Sequence, residues 1–169
     1  MGFTLLAERR RMFVLARAVT YAVLFVGLVL ISLPARILSA SGIVPPAAIG
    51  TWQVAGMVVG ALGAALALMC ILTLVFVGRG TPAPFDPPRQ LVVQGPYRVV
   101  RNPMYIGAGL ALVGAALFYQ SSALLGYIGA LFLITHLFVV VYEEPTLRRT
   151  FGQDYEMYCG QAGRWWPRW

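Results

Sequence analysis

The stretch Gln94-Gly-Pro-Tyr-Arg-Val-Val-Arg-Asn-Pro-Met-Tyr-Ile-Gly-Ala-Gly109 decides how the rest of the chain is read. It is polar and carries arginines, yet it lies between long apolar runs and leads directly into one of them. Gly95-Pro96 is a turn signal, because the proline ring drives the preceding residue out of the α region. Asn102-Pro103 marks a helix start. Asn accepts an orphan backbone N–H as N-cap, and proline at the first helical position forfeits only a donor that has no partner there. Gly107 and Gly109 then fall in the first two turns, where missing side chains let a ligand or a second helix come close. Arg98 and Arg101 set two cationic forks at the same mouth. A helix N-terminus flanked by arginines favours an anionic group such as a carboxylate. The stretch reads as the rim of a site.

Outside this stretch, the composition excludes an ordinary soluble domain. Hydrophobic residues make up 59% of the 169 positions and charged residues only 11%, which places the chain in the membrane class. The net charge of +7 raises the question of nucleic acid. Against that, all 13 basic residues are arginines at the ends of apolar runs, whereas phosphate tracking needs a long solvated basic surface. The arrangement is the positive-inside pattern of a membrane protein. Cys70 and Cys159 form no CxxC or metal-ligand spacing and read as free thiols.

The apolar runs predict an all-α integral membrane protein, one domain over residues 1–169, with about four transmembrane helices near 12–33, 51–77, 104–119 and 123–142. The first run is long enough for a hydrocarbon core of roughly 30 Å. It is too long for a signal-peptide core, and Leu38-Ser39-Ala40 is a poor cleavage site, so it is read as an anchor. Pro34, Pro45 and Pro46 place a connection over 34–50. The second run carries Gly56, Gly60 and Gly63, a small-residue spacing that lets helices pack closely in lipid, within the chain or between copies. The third and fourth runs, joined by Tyr119-Gln-Ser-Ser122, form an αα-hairpin. Residues 78–102 are expected to lie over the membrane surface, with Leu91-Val92-Val93 dipping into the interface. The tail ends in Arg-Trp-Trp-Pro-Arg-Trp, a membrane-interface composition. An even number of spans and the arginine count put both termini, the polar loop and the tail on the cytoplasmic face of a bacterial inner membrane.

Glu143-Glu144 follows an apolar helix directly. Adjacent carboxylates at a helix C-terminus oppose the macrodipole and repel each other, so at a membrane boundary they need partners. Arg98, Arg101, Arg148 and Arg149 are the candidates. The pair either forms an ion cluster that fixes the tail or binds a cationic ligand. His136 lies seven residues earlier on roughly the same helix face, hydrogen-bonded to a neighbour or lining a polar cavity. Tyr97, Tyr105, Tyr155 and Tyr158 could face an aromatic ligand or anchor the interface. Gly107-Ala-Gly109 is not a dinucleotide fingerprint, since no strand precedes it.

The order Gly95-Pro-Tyr, Arg101-Asn-Pro-Met-Tyr-Ile-Gly107, an apolar hairpin, Glu143-Glu-Pro-x-Leu147, Phe151-Gly-x-x-Tyr155, Tyr158 and a closing Arg164-Trp-Trp-Pro167 resembles the isoprenylcysteine carboxyl methyltransferases and phospholipid methyltransferases. These are integral membrane enzymes that use S-adenosylmethionine. The likeness covers roughly residues 90–169. It implies methyl transfer to a lipophilic acceptor drawn from the lipid bilayer. It also implies a cofactor pocket lined by Gln94, Gly95, Pro96, Tyr97, Arg98, Arg101, Asn102, Tyr105, Gly107, Gly109, Glu143 and Glu144. Glu143, Glu144, His136 and Asn102 are the candidate catalytic residues, and the first three are those able to take a proton from an amine acceptor. Two departures stand out. Asn102 replaces the family's usual His and has no acid–base chemistry near neutral pH. Phe138-Val-Val-Val-Tyr142 lacks the arginine that prenylcysteine enzymes carry before the Glu pair. The C-terminal pattern also resembles NADPH-dependent sterol reductases, and a non-enzymatic protein with a structural Glu–Arg cluster is the third reading.

Overall fold

In the computed structural model, the described residues are residue 20, residues 23–78 and residues 90–168. Much of the expected first span with its arginines, the loop from Arg79 to Arg89 and Trp169 lie outside them. Among the described residues the protein is an all-α membrane protein. Three helices are long and apolar enough to cross a bilayer: Val23–Ala40, Thr51–Phe76 and Ser122–Phe151. A shorter apolar helix, Pro103–Tyr119, stands beside them. Among the described residues, the only bridge of β type joins Val100 to Gly163.

The first helix does not stop at Leu33. A π-helical turn, Val26–Ser32, runs into α1, Leu33–Ala40, with Pro34 inside it. Proline lacks a backbone N–H, and its ring clashes with the carbonyl four residues earlier. Widening the turn to the i→i−5 register removes that clash. Leu33 N–H accordingly bonds to Leu28 O. Continued one residue, this register leaves the Val29 carbonyl for Pro34, which cannot donate. The Tyr127 hydroxyl donates to Val29 O instead, at 2.8 Å. In hydrocarbon an orphan carbonyl has no water to turn to, so Tyr127 ties the first helix to the hairpin at the point where its ladder fails.

Helices α2, Thr51–Phe76, and α3, Pro103–Tyr119, meet through glycine on both sides. A methyl on Gly107 would lie 2.6 Å from Ala67 N, and one on Gly56 would lie 2.6 Å from Gly114 O. The small-residue spacing of the second run therefore serves a contact within the chain. With apolar lipid on all sides, close backbone approach and the dispersion it allows hold such helices together. At the far end Gln53 is buried, with a partner for each of its two polar atoms. It accepts from Gly50 N at 3.0 Å and donates to the helix-end carbonyl of Phe118 at 3.2 Å. Gln120, in the left-handed region at φ 49°, closes α3. Ser121 then caps α4, Ser122–Phe138, by accepting from Leu124 N at 3.2 Å.

The fourth helix also continues beyond its expected end. A second π turn, Val139–Glu143, leads into α5, Glu144–Phe151, and α6, Gln153–Gln161, follows after Gly152. The device is the same as at Pro34. Glu144 N–H bonds to Val139 O, one residue before Pro145. Gly152 sits at φ +54°, where a side chain would be strained, and turns the chain back beneath the bundle. Leu91, Val92 and Val93 pack onto the protein's own side chains. Val92 packs with Tyr97 and Cys70, and Leu91 and Val93 pack against Tyr155 and Tyr158 of α6. The returning helix covers them.

Tyr127→Phe is expected to lower unfolding stability in detergent by about 1 kcal/mol, the scale of an interhelical hydrogen bond in membranes. In a Pro34→Ala background, where a backbone donor becomes available again, the same change is expected to cost less. Thermal unfolding of the four proteins of this cycle checks it, and equal costs in both backgrounds would break the link between the proline and the tyrosine.

Candidate functional site

Glu143 and Glu144 sit inside a continuous helix rather than at its C-terminus. They lie where the π turn passes into α5. A wider turn rotates less per residue, so two neighbours in sequence both face the interior. Glu144 is buried, at 3% exposure, and Glu143 is half-buried.

A buried carboxylate must be paired, and Glu144 has two guanidinium partners. Arg101, from the turn before α3, approaches Oε1 at 3.1 Å. Arg164, from the tail, makes a two-pronged contact, with Nε 2.7 Å from Oε1 and its terminal nitrogen 2.9 Å from Oε2. Such fork-to-carboxylate geometry is the strong form of an ion pair. The same tail segment lies along the α3 entrance. Arg101 N donates to Gly163 O at 2.8 Å, and the Asn102 side-chain amide donates to Arg164 O at 3.1 Å. Asn102 occupies the N-cap position of α3 but makes no side-chain cap bond. Its amide holds the tail instead, a tertiary partner displacing the local one. Gly163 is required by this course, since a methyl there would collide with the Trp166 carbonyl. Beneath it, the Tyr158 hydroxyl donates to Tyr97 O at 2.6 Å, and burial holds that phenol neutral by raising its pKa.

Glu143 is treated differently. Tyr105 of α3 donates to its Oε2 at 3.1 Å, and among the described residues it makes no ion pair. Next to it, Trp165 Nε1 donates to His136 Nδ1 at 3.0 Å. Indole can only donate, so Nδ1 is the accepting nitrogen and neutral His136 carries its proton on Nε2. The Trp165 ring also lies 5.2 Å from Phe132 and 6.5 Å from Tyr105, centre to centre. Tail, hairpin and α3 thus meet around one half-buried carboxylate.

Of the residues picked out by sequence, Arg101, Asn102, Tyr105, His136, Glu143 and Glu144 come together. Others do not. Gln94 and Arg98 are exposed. Gly95, at φ +57°, and Pro96 line an apolar groove of about 530 Å³ beside the cluster. The Tyr97 ring is buried with Cys70 and Val92. Gly107 faces α2, and Gly109 has no neighbour within 4 Å of where a methyl would stand. Arg148 pairs with Glu156 at 2.8 Å on the surface, a contact of small energetic weight. Sequence reasoning missed Arg164 and Trp165, whose composition matched an interfacial anchor. The signal available was an arginine within the closing motif, opposite a carboxylate pair still short of cations.

Glu144→Gln strands two guanidinium groups and is expected to destabilise the protein by about 3–5 kcal/mol, as removing one partner of a buried ion pair does. Glu143→Gln leaves the ion pairs among the described residues intact and is expected to cost about 1 kcal/mol or less, one hydrogen bond being adjusted. Chemical unfolding without ligand measures both, and equal losses would contradict the division between the two carboxylates.

The sequence profile of the phospholipid methyltransferase family matches residues 51–154, a stretch that holds α2, the α3–α4 hairpin and the Glu pair. No curated protein and no solved structure gives a significant match. The matched segment spans more than half of the chain and contains Arg101, Tyr105, Glu143 and Glu144, while the tail that supplies Arg164 and Trp165 lies beyond it. A membrane protein of this fold, with this segment, belongs to the phospholipid methyltransferase family.

Proposed function

We propose that the protein transfers a methyl group from S-adenosylmethionine to a lipophilic acceptor at the cytoplasmic face of the membrane, with both termini on that side. The observation that carries this reading is Glu143: a half-buried carboxylate, fixed by Tyr105, with no cation paired to it among the described residues. Holding such a group beside an already compensated Glu144 makes sense where a cationic ligand completes it.

The residues present fit the cofactor. Its ammonium and sulfonium charges suit Glu143, and its carboxylate suits a guanidinium. Arg101 Nε is buried and has no hydrogen-bond partner among the described residues, a state that is costly until an acceptor arrives. The cofactor supplies an electrophilic methyl group on a sulfonium sulfur. Tyr105 holds Glu143 in one orientation. The tail, held at the α3 entrance by Arg164, Asn102 and Trp165, would shield the bound cofactor from water. Alignment of donor and acceptor is the largest contribution such a site can make.

Among the candidate catalytic residues, Glu144 is saturated by two arginines and Asn102 has no acid–base chemistry near neutral pH. The Nδ1 lone pair of His136 is occupied by Trp165. Glu143 is left to take a proton from an amine acceptor, whereas a carboxylate or thiolate acceptor needs no base.

A thermal-shift titration with S-adenosylmethionine is expected to give a saturable stabilisation, roughly 2.7 kcal/mol at about one hundred times the dissociation constant. Glu143→Gln is expected to abolish most of it while the protein stays folded. Membranes containing the protein are expected to move labelled methyl into a lipid extract, and counts equal to empty membranes across the lipid classes would overturn the assignment.

A further inference from the structure

His136 lies on α4, two turns ahead of Glu143. At 1.5 Å per residue that is about 10 Å along the helix axis, and among the described residues no hydrogen bond joins the two side chains. Its Nδ1 accepts from Trp165 Nε1 at 3.0 Å, and the neutral ring then carries its proton on Nε2. Neither nitrogen keeps a free lone pair, so the imidazole has no basic site to offer a substrate. What it does have is a grip on the tail.

Up to Arg164 the tail is tied down by its neighbours, through the fork on Glu144, the Gly163 carbonyl on Arg101 and the Arg164 carbonyl on Asn102. Trp165 comes next and packs among rings. Its centre lies 5.2 Å from Phe132, 6.1 Å from His136 and 6.5 Å from Tyr105. Apolar packing has little direction, and an indole turned over by half a rotation fills nearly the same space. Its N–H decides between the two. Turned over, the indole would leave its only donor and the His136 acceptor both without a partner, which costs on the scale of a hydrogen bond. The bond to His136 therefore selects the edge that the indole presents to Tyr105. Among the described residues, Tyr105 alone donates to Glu143. Trp166, one residue further on, is 82% exposed, so the inward course of the strap ends at this bond.

We propose that His136 is a positioning residue of the Glu143 cleft and takes no proton in the reaction. It fixes the Trp165 indole, and the fixed indole backs Tyr105, which sets the carboxylate. That the cation met there is the cofactor's rests on the methyl-transfer reading. The tether itself does not.

Two amides tell the ring nitrogens apart. An Asn side chain carries its oxygen about where Nδ1 stands, whereas Gln reaches to the place of Nε2. His136→Asn thus keeps an acceptor for Trp165, His136→Gln misplaces it and His136→Leu removes it. The readout is the indole N–H of Trp165 in the full chain, isotope-labelled at the tryptophan nitrogen. Trp52→Phe, Trp166→Phe and Trp169→Phe leave it as the single indole signal. Slow exchange of this proton with water is expected in the His and Asn proteins, and exchange about fivefold faster in the Gln and Leu proteins. Equal exchange in all four, or protection that follows Gln, overturns the tether, and the Asn–Gln pair decides the matter even where the Leu protein unfolds.

Titration of the same proteins with S-adenosylmethionine is expected to give like dissociation constants for His and Asn, and values about fivefold weaker for Gln and Leu. In a Trp165→Phe background that difference is expected to vanish, since its donor is gone. Affinities that ignore the tether overturn the positioning role. Asn has no acid–base chemistry near neutral pH, yet His136→Asn is expected to keep most of the methyl transfer into the labelled lipid extract. A fall as deep as that of His136→Leu makes His136 a catalytic base and sinks the proposal. A wild type that binds no S-adenosylmethionine strikes the methyl-transfer reading, while the exchange pattern still decides the tether.

Discussion

A carboxylate buried at the edge of a membrane has to be neutralised by its own protein, and Glu144 is neutralised by arginines from two distant parts of the chain. Arg101 belongs to the entrance of α3 and Arg164 to the tail. Pairing both with one residue joins the hairpin, the third apolar helix and the C-terminal strap in a single knot. The desolvation of the charges is offset only when both forks are in place. The strap's other contacts, through Gly163, Asn102 and Trp165, all lie within a few residues of Arg164. They depend on that knot for their register.

The same constraint separates two residues that look equivalent. Glu144 is consumed by structure. Glu143, one position earlier, keeps a tyrosine partner and, among the described residues, no cation. The π turn makes this possible, because an ordinary helical step would rotate one of the pair further out. The glycine contact between α2 and α3 supplies the rigid wall behind it, with backbone against backbone and no side chain to rearrange. Pre-positioned charge on a stiff support is what a site needs when its main task is alignment.

Much of this was legible in the residues. Hydrophobic run length and arginine placement lead to an all-α membrane protein, and the Arg101–Gly107 and Glu143–Glu144 segments stand out as the two halves of a site. The rest was hidden for physical reasons. A π turn leaves no mark on apolar periodicity, so the helices at Pro34 and Pro145 were read as ending where they merely widen. Asn102 has the chemistry of a cap, but an amide buried against the tail finds a carbonyl there, and only the tertiary fold brings that carbonyl near. Arg164 and Trp165 have the composition of an interfacial belt, and composition does not say which way a side chain turns. Gly107 serves helix packing and a cofactor approach equally well on paper. The contact with Ala67 decides for packing.

The knot around Glu144 also has an order in time. Arg101 precedes Glu144 by 43 residues, and Arg164 follows it by 20. During synthesis, the helix bearing Glu144 therefore meets the bilayer with one counter-charge already made and the other still to come. Compensation is finished only after the chain has reversed at Gly152 and come back beneath the bundle. The tail is thus the last of the three parts in chain order, and a chain cut after α5 would hold Glu144 with one of its two arginines missing.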